Sequence, residues 1–289
     1  KWAGFSKIGE KIELSSSIKE AKYVLIGIEE NLGPQANGGF SGAENAFNAF
    51  LKTTPYATIN DVPKEVLKQI VLNHVLKGKV LAKDFTTGYL KTLATSASSV
   101  DNNLSMYVNT TSGVVLNGVA KIITNGENFK APNGVLHIVD KVIFLPTVVT
   151  HAQANPDFKS LVDNLVKTVS PNLVTALSGA GPFTVFAPTN AAFTAFNTEL
   201  APGGLAGVSI PNLTKVLQYH VTNGNVLAAS LFEGQVVSTL ETPQTFEIQL
   251  TGGAKIKDAS NRISNITATD VQCDNGIIHV LDKVLLPKL

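Results

Sequence analysis

One stretch limits what this chain can fold into more than any other, because the chain contains it twice. Residues 133–146 read Asn-Gly-Val-Leu-His-Ile-Val-Asp-Lys-Val-Ile-Phe-Leu-Pro, and residues 275–287 read Asn-Gly-Ile-Ile-His-Val-Leu-Asp-Lys-Val-Leu-Leu-Pro. A turn-forming Asn-Gly step, an alternating β-branched run and a stopping proline describe a closing strand. His137 and His279 hold the same place in the two copies, as do Asp140 and Asp282. A copy that recurs after about 140 residues implies two structural modules, 1–146 and 147–289.

Composition narrows the class. With 289 residues, 44% of them apolar and 16% charged, each module has enough chain to bury its own core. A net charge of +1 gives no electrostatic reason to expect nucleic acid. Arg262 is the sole arginine, so bidentate phosphate or carboxylate clamps are scarce. Cys273 stands alone, which rules out an intramolecular disulfide. No apolar run reaches the roughly 18–20 residues of a membrane span. The chain opens at Lys1-Trp2 without a basic–apolar leader and reads as a mature or trimmed form. Asn-x-Thr sequons begin at Asn109, Asn212 and Asn265, triplets common enough to carry little weight.

Module two sets the template. Phe158, Leu161, Val162, Leu165, Val166 and Val169 form one helical stripe. Ser170-Pro171 restarts a helix that buries Leu173, Val174 and Leu177 and ends near Gly179. A strand from Phe183 to Ala187 is cut by Pro188, and Thr189 caps a helix that turns Phe193 and Phe196 inward. Pro211 opens another, with Leu213, Val216, Leu217 and His220 along a stripe. From Val226 onward the pattern is of short β runs: 236–240, 245–250, 254–256, 263–271 and 277–286. Helices first and strands later read as α+β.

Three segments of this module carry a family resemblance. Phe-Thr-Val-Phe-Ala-Pro-Thr-Asn-Ala-Ala-Phe (183–193), Leu-Gln-Tyr-His-Val (217–221) and the closing stretch from Asn275 resemble, in order, the signature segments of the fasciclin (FAS1) domain. The resemblance covers nearly all of 148–289. It implies two tandem modules, each a two-sheet β wedge with helices packed at one side. It also implies an extracellular adhesion or matrix-binding role with no catalytic residues to transfer.

Module one repeats the second half of the template. Pro63 opens a helix with Val66, Leu67, Ile70, Val71 and Val75 on its buried side, and Asn73-His74 stands where Tyr219-His220 stands in module two. Strand-like runs follow at 104–108, 114–116, 121–124 and 135–144, and 147–155 reads as the link between modules. The front, residues 1–52, is atypical. Residues 23–28 could replace the strand 183–187 and residues 46–50 could replace 192–196, with an inserted Gly- and Asn-bearing segment, 29–41, between them. A helix around Trp2, Phe5, Ile8 and Ile12 precedes them. Residues 22–51 also resemble the opening segment of the arginase/formimidoylglutamase family, although that family's manganese-binding Asp-Ala-His-x-Asp segments are absent.

Candidate chemistry centres on the histidines. His74 and His220 fall near helix C-termini, where the dipole favours an imidazolium. The resemblance associates this neighbourhood with receptor binding, which makes Tyr219, His220, Asn73 and His74 the candidate partner-binding residues. The competing role, and the favoured one, is a histidine that bridges helix end and sheet. In an extended strand His137 and Asp140 point to opposite faces, as do His279 and Asp282, so neither pair is a catalytic couple. No histidine pair has H-x-x-x-H spacing and no G-x-S-x-G occurs, so neither a metal nor a cofactor is expected. The segment 31–39 lacks a phosphate-loop ending, and Pro34 removes an amide donor.

The sequence therefore points to an α+β, non-enzymatic, exported adhesion protein that binds a cell-surface or matrix protein or a polysaccharide. Its Lys-heavy, Asn-rich, single-Cys composition suggests a bacterial source. The rivals are a carbohydrate-binding module, an amidinohydrolase remnant at the front, and a spacer with no partner. Most Phe fall at core spacings, which counts against the first rival.

Overall fold

The computed structural model describes the backbone of residues 23–28 together with residues 62–168 and 172–289. These form two compact α+β units. The first holds 23–28, 62–95 and 106–145, and the second holds 96–105, 146–168 and 172–289.

In the first unit, β1 (Tyr23–Ile28) precedes α1 (Lys64–Leu72), which Pro63 opens. β2 (Val75–Lys77), β3 (Gly88–Lys91), β4 (Ser105–Asn109), β5 (Val115–Leu116), β6 (Ala120–Lys121), β7 (Phe129–Ala131) and β8 (Gly134–Val139) follow. They make two four-stranded sheets, in the orders β2-β1-β8-β7 and β3-β4-β5-β6. β1 lies parallel to β8, with Tyr23 opposite Gly134 and Ile28 opposite Val139, and antiparallel to β2.

The second unit begins with α2 (Val148–Ala154), α3 (Lys159–Leu165) and α4 (Leu173–Leu177). Then come β9 (Phe183–Pro188), α5 (Asn190–Glu199), α6 (Ile210–Tyr219) and β10 (Val221–Asn223). β11 (Val236–Ser238), β12 (Thr245–Gln249), β13 (Lys255–Lys257), β14 (Ile263–Cys273) and β15 (Gly276–Leu281) complete it. Side-chain caps start the helices where the sequence supplies them: Thr147, Asn172, Thr189 and Ser209 each accept a first-turn amide. The strands join in one sheet, β10-β9-β15-β14-β13-β12-β11. β9 pairs with β15 and β10 as β1 pairs with β8 and β2.

The sheets differ at one strand. β14 runs through two register shifts, between Ile266 and Ala268 and between Ala268 and Val271, and Asp270 there has φ 59°. In the first unit the strand is broken at that place into β6 and β7, and Asn128 has φ 64°. Asn and Asp tolerate the left-handed region better than other residues with a Cβ. Each carboxyl or amide oxygen then accepts the amide of a 3-10 turn at 2.9 Å, Ala82 N–H in one unit and Ala228 N–H in the other. The cores match as well: Met106, Val108, Leu116, Val139 and Ile143 are buried together in the first unit, and Phe246, Ile248, Ile256, Leu281 and Leu285 in the second.

Several expectations change. Residues 147–155 are not a bare link, because α2 occupies most of them; Thr147 and Thr150 form a reciprocal capping box with Thr where Glu or Gln is usual. Val75 lies in β2, and on α1 only Ile70 is fully buried. Val166 lies just past the C-terminus of α3 and is 59% exposed. The closing strands stop at Val139 and Leu281, so residues 142–144 and 284–286 run on outside the ladder. The turns before them are Pro132-Asn133 and Asp274-Asn275, with Gly134 and Gly276 opening the strands. The expected helix near Trp2, residues 29–41 and residues 46–50 lie outside the described residues.

Candidate functional site

The C-terminal ends of α1 and α6 carry the candidate residues, and all four are buried: Asn73, His74, Tyr219 and His220. His220 Nδ1 lies 2.7 Å from Val216 O, and its Nε2 accepts Leu285 N–H at 2.8 Å. A carbonyl only accepts and an amide N–H only donates, so Nδ1 carries the proton and the ring is neutral. His74 repeats both bonds, with Ile70 O at 2.7 Å and Ile143 N–H at 2.9 Å. Burial holds each imidazole at a pKa of about 4, outweighing the bond to the helix carbonyl. The imidazolium expected from the helix dipole does not form, because desolvation of the charged ring is the larger effect. Each ring instead ties a helix end to the segment just beyond the closing strand.

The neighbours of these histidines diverge. Tyr219 Oη donates to Thr245 O at 2.7 Å and accepts Ala259 N–H at 2.9 Å. Burial pushes its phenol up to about 12. Asn73 makes neither bond. Its Nδ2 donates to Ile143 O at 3.2 Å and Phe144 O at 3.0 Å, while its buried Oδ1 has no partner.

The strand histidines use the opposite tautomer. His279 Nε2 donates to Val226 O at 2.9 Å and Nδ1 accepts Asp270 N–H at 3.4 Å. His137 makes the same pair of bonds, to Val80 O at 3.0 Å and from Asn128 N–H at 3.4 Å. Each ring fastens a left-handed residue, Asp270 in the bulge of β14 and Asn128 just before β7. Asp282 and Asp140 act elsewhere, each accepting an amide at 2.7 Å, from Asn265 and Lys121.

Sequence reasoning missed the groups that tie down the end of module two. Asp258, 4% exposed, accepts the amides of Ser260 and Arg262 at Oδ1 and of Leu286 at Oδ2. Arg262 donates to Val284 O at 2.8 Å and to Glu199 Oε2 at 2.5 Å, over the Phe196 ring. The spacing Asp258-Ala-Ser-Asn-Arg262 is an Asx-turn signal that could have pointed to it. Asn275, a turn residue by sequence, is also a tie. Its Nδ2 donates to Leu177 O and Gly179 O, and its Oδ1 accepts Val148 N–H.

The arrangement is therefore a set of internal ties. Among the described residues no three His, Cys, Asp or Glu side chains converge as a metal site, and no helix is long and apolar enough to cross a membrane.

Fold and ties together define a protein built from two copies of one α+β wedge. The comparisons with known proteins give the wedge its family: the fasciclin domain model matches residues 43–146 and 156–287, and the chain belongs to that family. Protein sll1483 of Synechocystis is 38% identical over 145 residues, 50% of this chain and 74% of that protein. Human periostin is 32% identical over 222 residues, 74% of this chain but 24% of periostin. Immunogenic protein MPB70 of Mycobacterium bovis is 32% identical over 142 residues, 48% of this chain and 68% of that protein. The FAS1 domain pair of the insect cell adhesion molecule Fasciclin I superposes with a TM-score of 0.54, covering 98% of this chain and 96% of that one at 18% identity, a likeness of fold. The arginase-like reading of 22–51 is not borne out. The strand it starts on, β1, takes the place in the first unit that β9 takes in the second, and the fasciclin match runs from residue 43.

Proposed function

We propose that the chain is a non-enzymatic adhesion or interaction protein, exported and displayed outside the cell. Two fasciclin modules, 1–146 and 147–289, would give it two contacts with a cell-surface or matrix protein or a polysaccharide. The observation that carries the reading is the use made of the histidines. Four of the five commit both ring nitrogens to backbone groups in matched pairs, one pair per module. Groups spent in this way hold shape and are not poised for proton transfer. Family membership supports the same reading, as does the adhesion molecule whose domain pair the chain resembles.

Tyr219, His220, Asn73 and His74 enter this proposal as residues that position a surface, since they are too deep to touch a partner in the folded module. The two exposed phenylalanines among the described residues, Phe129 and Phe232, fall one in each module and make no aromatic stripe for stacking sugar rings. The test is retention of the full chain on immobilised matrix proteins, polysaccharides and cell extracts. Two linked modules should hold more tightly than either site alone. Retention no greater than that of an unrelated protein of equal size and charge would overturn the proposal.

A further inference from the structure

The two modules correspond bond for bond along one loop and one strand. His137 donates to Val80 O as His279 does to Val226 O, and Ala82 N–H meets Asn128 as Ala228 N–H meets Asp270. Lys130 lies opposite Val135 on β8 as Gln272 lies opposite Ile277 on β15. Lys79 therefore takes the place of Asn225, and Lys130 that of Gln272. In module two those residues touch: Gln272 Nε2 donates to Asn225 Oδ1 at 2.9 Å, and Asn225 Nδ2 to Gln272 Oε1 at 3.2 Å. Two lysines cannot repeat that pair. Each ammonium only donates and both are positive, so no bond forms between them and their charges repel. Both are exposed.

Lys77 and Lys83 flank them and are exposed as well. Lys77 ends β2, and Lys83 follows the Ala82 amide that Asn128 holds beside β7. The four lysines reach from β2 to β7 across the sheet, three strand steps or about 14 Å. Among the described residues the ion pairs are Lys68–Glu65, Lys159–Asp163 and Arg262 with Glu199 and Asp258, so none of the four is neutralised by one. Residues 77–84 and 127–131 set two acids, Asp84 and Glu127, against these four cations. The matching residues of module two, 223–230 and 269–273, carry one charge, that of Asp270. The row is an addition to module one and not a demand of the shared fold.

The chemistry of the row selects its partner. Lysine is a point charge without the fork that grips a single carboxylate or phosphate in two places. An exposed lysine holds one anion weakly, and a row of them gains by meeting several anions in succession on one polymer. A single strand of nucleic acid would want aromatic faces beside the cations. Phe129, the aromatic residue of these two segments, points away from Lys130 as its neighbour along the strand. We propose that the row of Lys77, Lys79, Lys83 and Lys130 binds an acidic polysaccharide, a chain of linked sugars that bear carboxylate or sulfate groups. The proposal rests on the interaction role above and gives that role one ligand class and one surface.

The probes are polygalacturonate and dextran sulfate, with uncharged dextran and double-stranded DNA beside them, each titrated with the full chain by interferometry at low and at physiological salt. Binding to either acidic polymer is expected, falling as salt rises and absent with dextran. Which of the two binds identifies the anion. Lys79→Asn/Lys130→Gln installs the pair of module two and should weaken binding at least tenfold with an unchanged circular dichroism spectrum. Lys215→Gln/Lys288→Gln removes as much charge from exposed positions of module two and should leave binding within about twofold. If the first double variant does not fold, Lys77→Gln/Lys83→Gln decides, with the same tenfold loss expected. Failure of the parent to bind either acidic polymer at low salt overturns the proposal, and so does an equal loss in the module-two control. DNA bound as tightly as the polysaccharides overturns the choice of sugar. A chain that holds matrix protein or cell extract but neither acidic polymer keeps its interaction role and loses only this site.

Discussion

Tyr219 and Ala259 are joined by a 2.9 Å hydrogen bond, from the Ala259 amide to the phenol oxygen, that has no counterpart in the first module. Ala259 belongs to the connection between β13 and β14, which runs from Asp258 to Arg262. The equivalent connection, between β5 and β6, is only Asn117-Gly118-Val119. With the longer loop gone, a phenol at position 73 would lack this amide donor, and the smaller Asn73 turns to Ile143 and Phe144 instead. Loop length and side chain have changed together.

Tyr219→Phe should therefore destabilise module two by about 1–2 kcal/mol, because it removes the phenol partner of a part-buried amide and a part-buried carbonyl. Hydrogen exchange in urea would read the loss at amides of β12 and β13, with those of β4 and β5 unmoved. Equal loss in both modules would contradict the assignment.

Alkaline titration should separate the modules. The Tyr219 phenol is raised from 10 to about 12, so the neutral form is favoured in the fold. Its contribution is complete below pH 10 and is lost as pH rises through 12. Module two should loosen over that window ahead of the Tyr219→Phe variant's own alkaline change, as ultraviolet absorption of tyrosinate would show.

Acid should act on both modules at once. His74 and His220 fall from 6.5 to about 4 on folding, so each fold prefers the neutral ring. Stability is complete above pH 6.5 and is lost as pH falls toward 4, on the order of 3 kcal/mol per histidine. His279 is lowered too, by burial, and steepens the fall in module two. His220→Gln should flatten the pH dependence of module two between pH 6.5 and 4 while leaving module one unchanged. Thermal unfolding across that range is the measurement.

The two closing turns should respond differently to the same substitution. Asn275→Ala removes three bonds that tie the turn to α2, to Leu177 and to Gly179, and should cost about 2–4 kcal/mol. Asn133, its sequence partner, is exposed, and Asn133→Ala should change stability by no more than about 0.5 kcal/mol. Chemical denaturation of the two variants side by side tests the contrast.

Much of the architecture was legible because it is written in local pattern. The repeated closing stretch, the stripe of α6, the cap at Thr189 and the helix start at Pro211 need only nearby residues to be recognised. α2 escaped because its capping box uses Thr150 where a Glu or Gln is usual. β2 and β10 escaped because three residues are too short for any period to show.

The sequence alone determined that there are two modules, that each is α+β, and that the same histidines recur at matching places. Repetition, periodicity and turn chemistry are properties of neighbours along the chain. Tertiary structure alone decided what those histidines do: which nitrogen carries the proton, that the rings are neutral, and that Leu285 or Ile143 is the partner. Protonation depends on desolvation and on carbonyls and amides that the fold brings together from up to 69 residues away, such as Ile143 to His74. It also decided that Tyr219 and Asn73, alike in position, hold different parts of the molecule, because the loop that receives the phenol exists in only one copy.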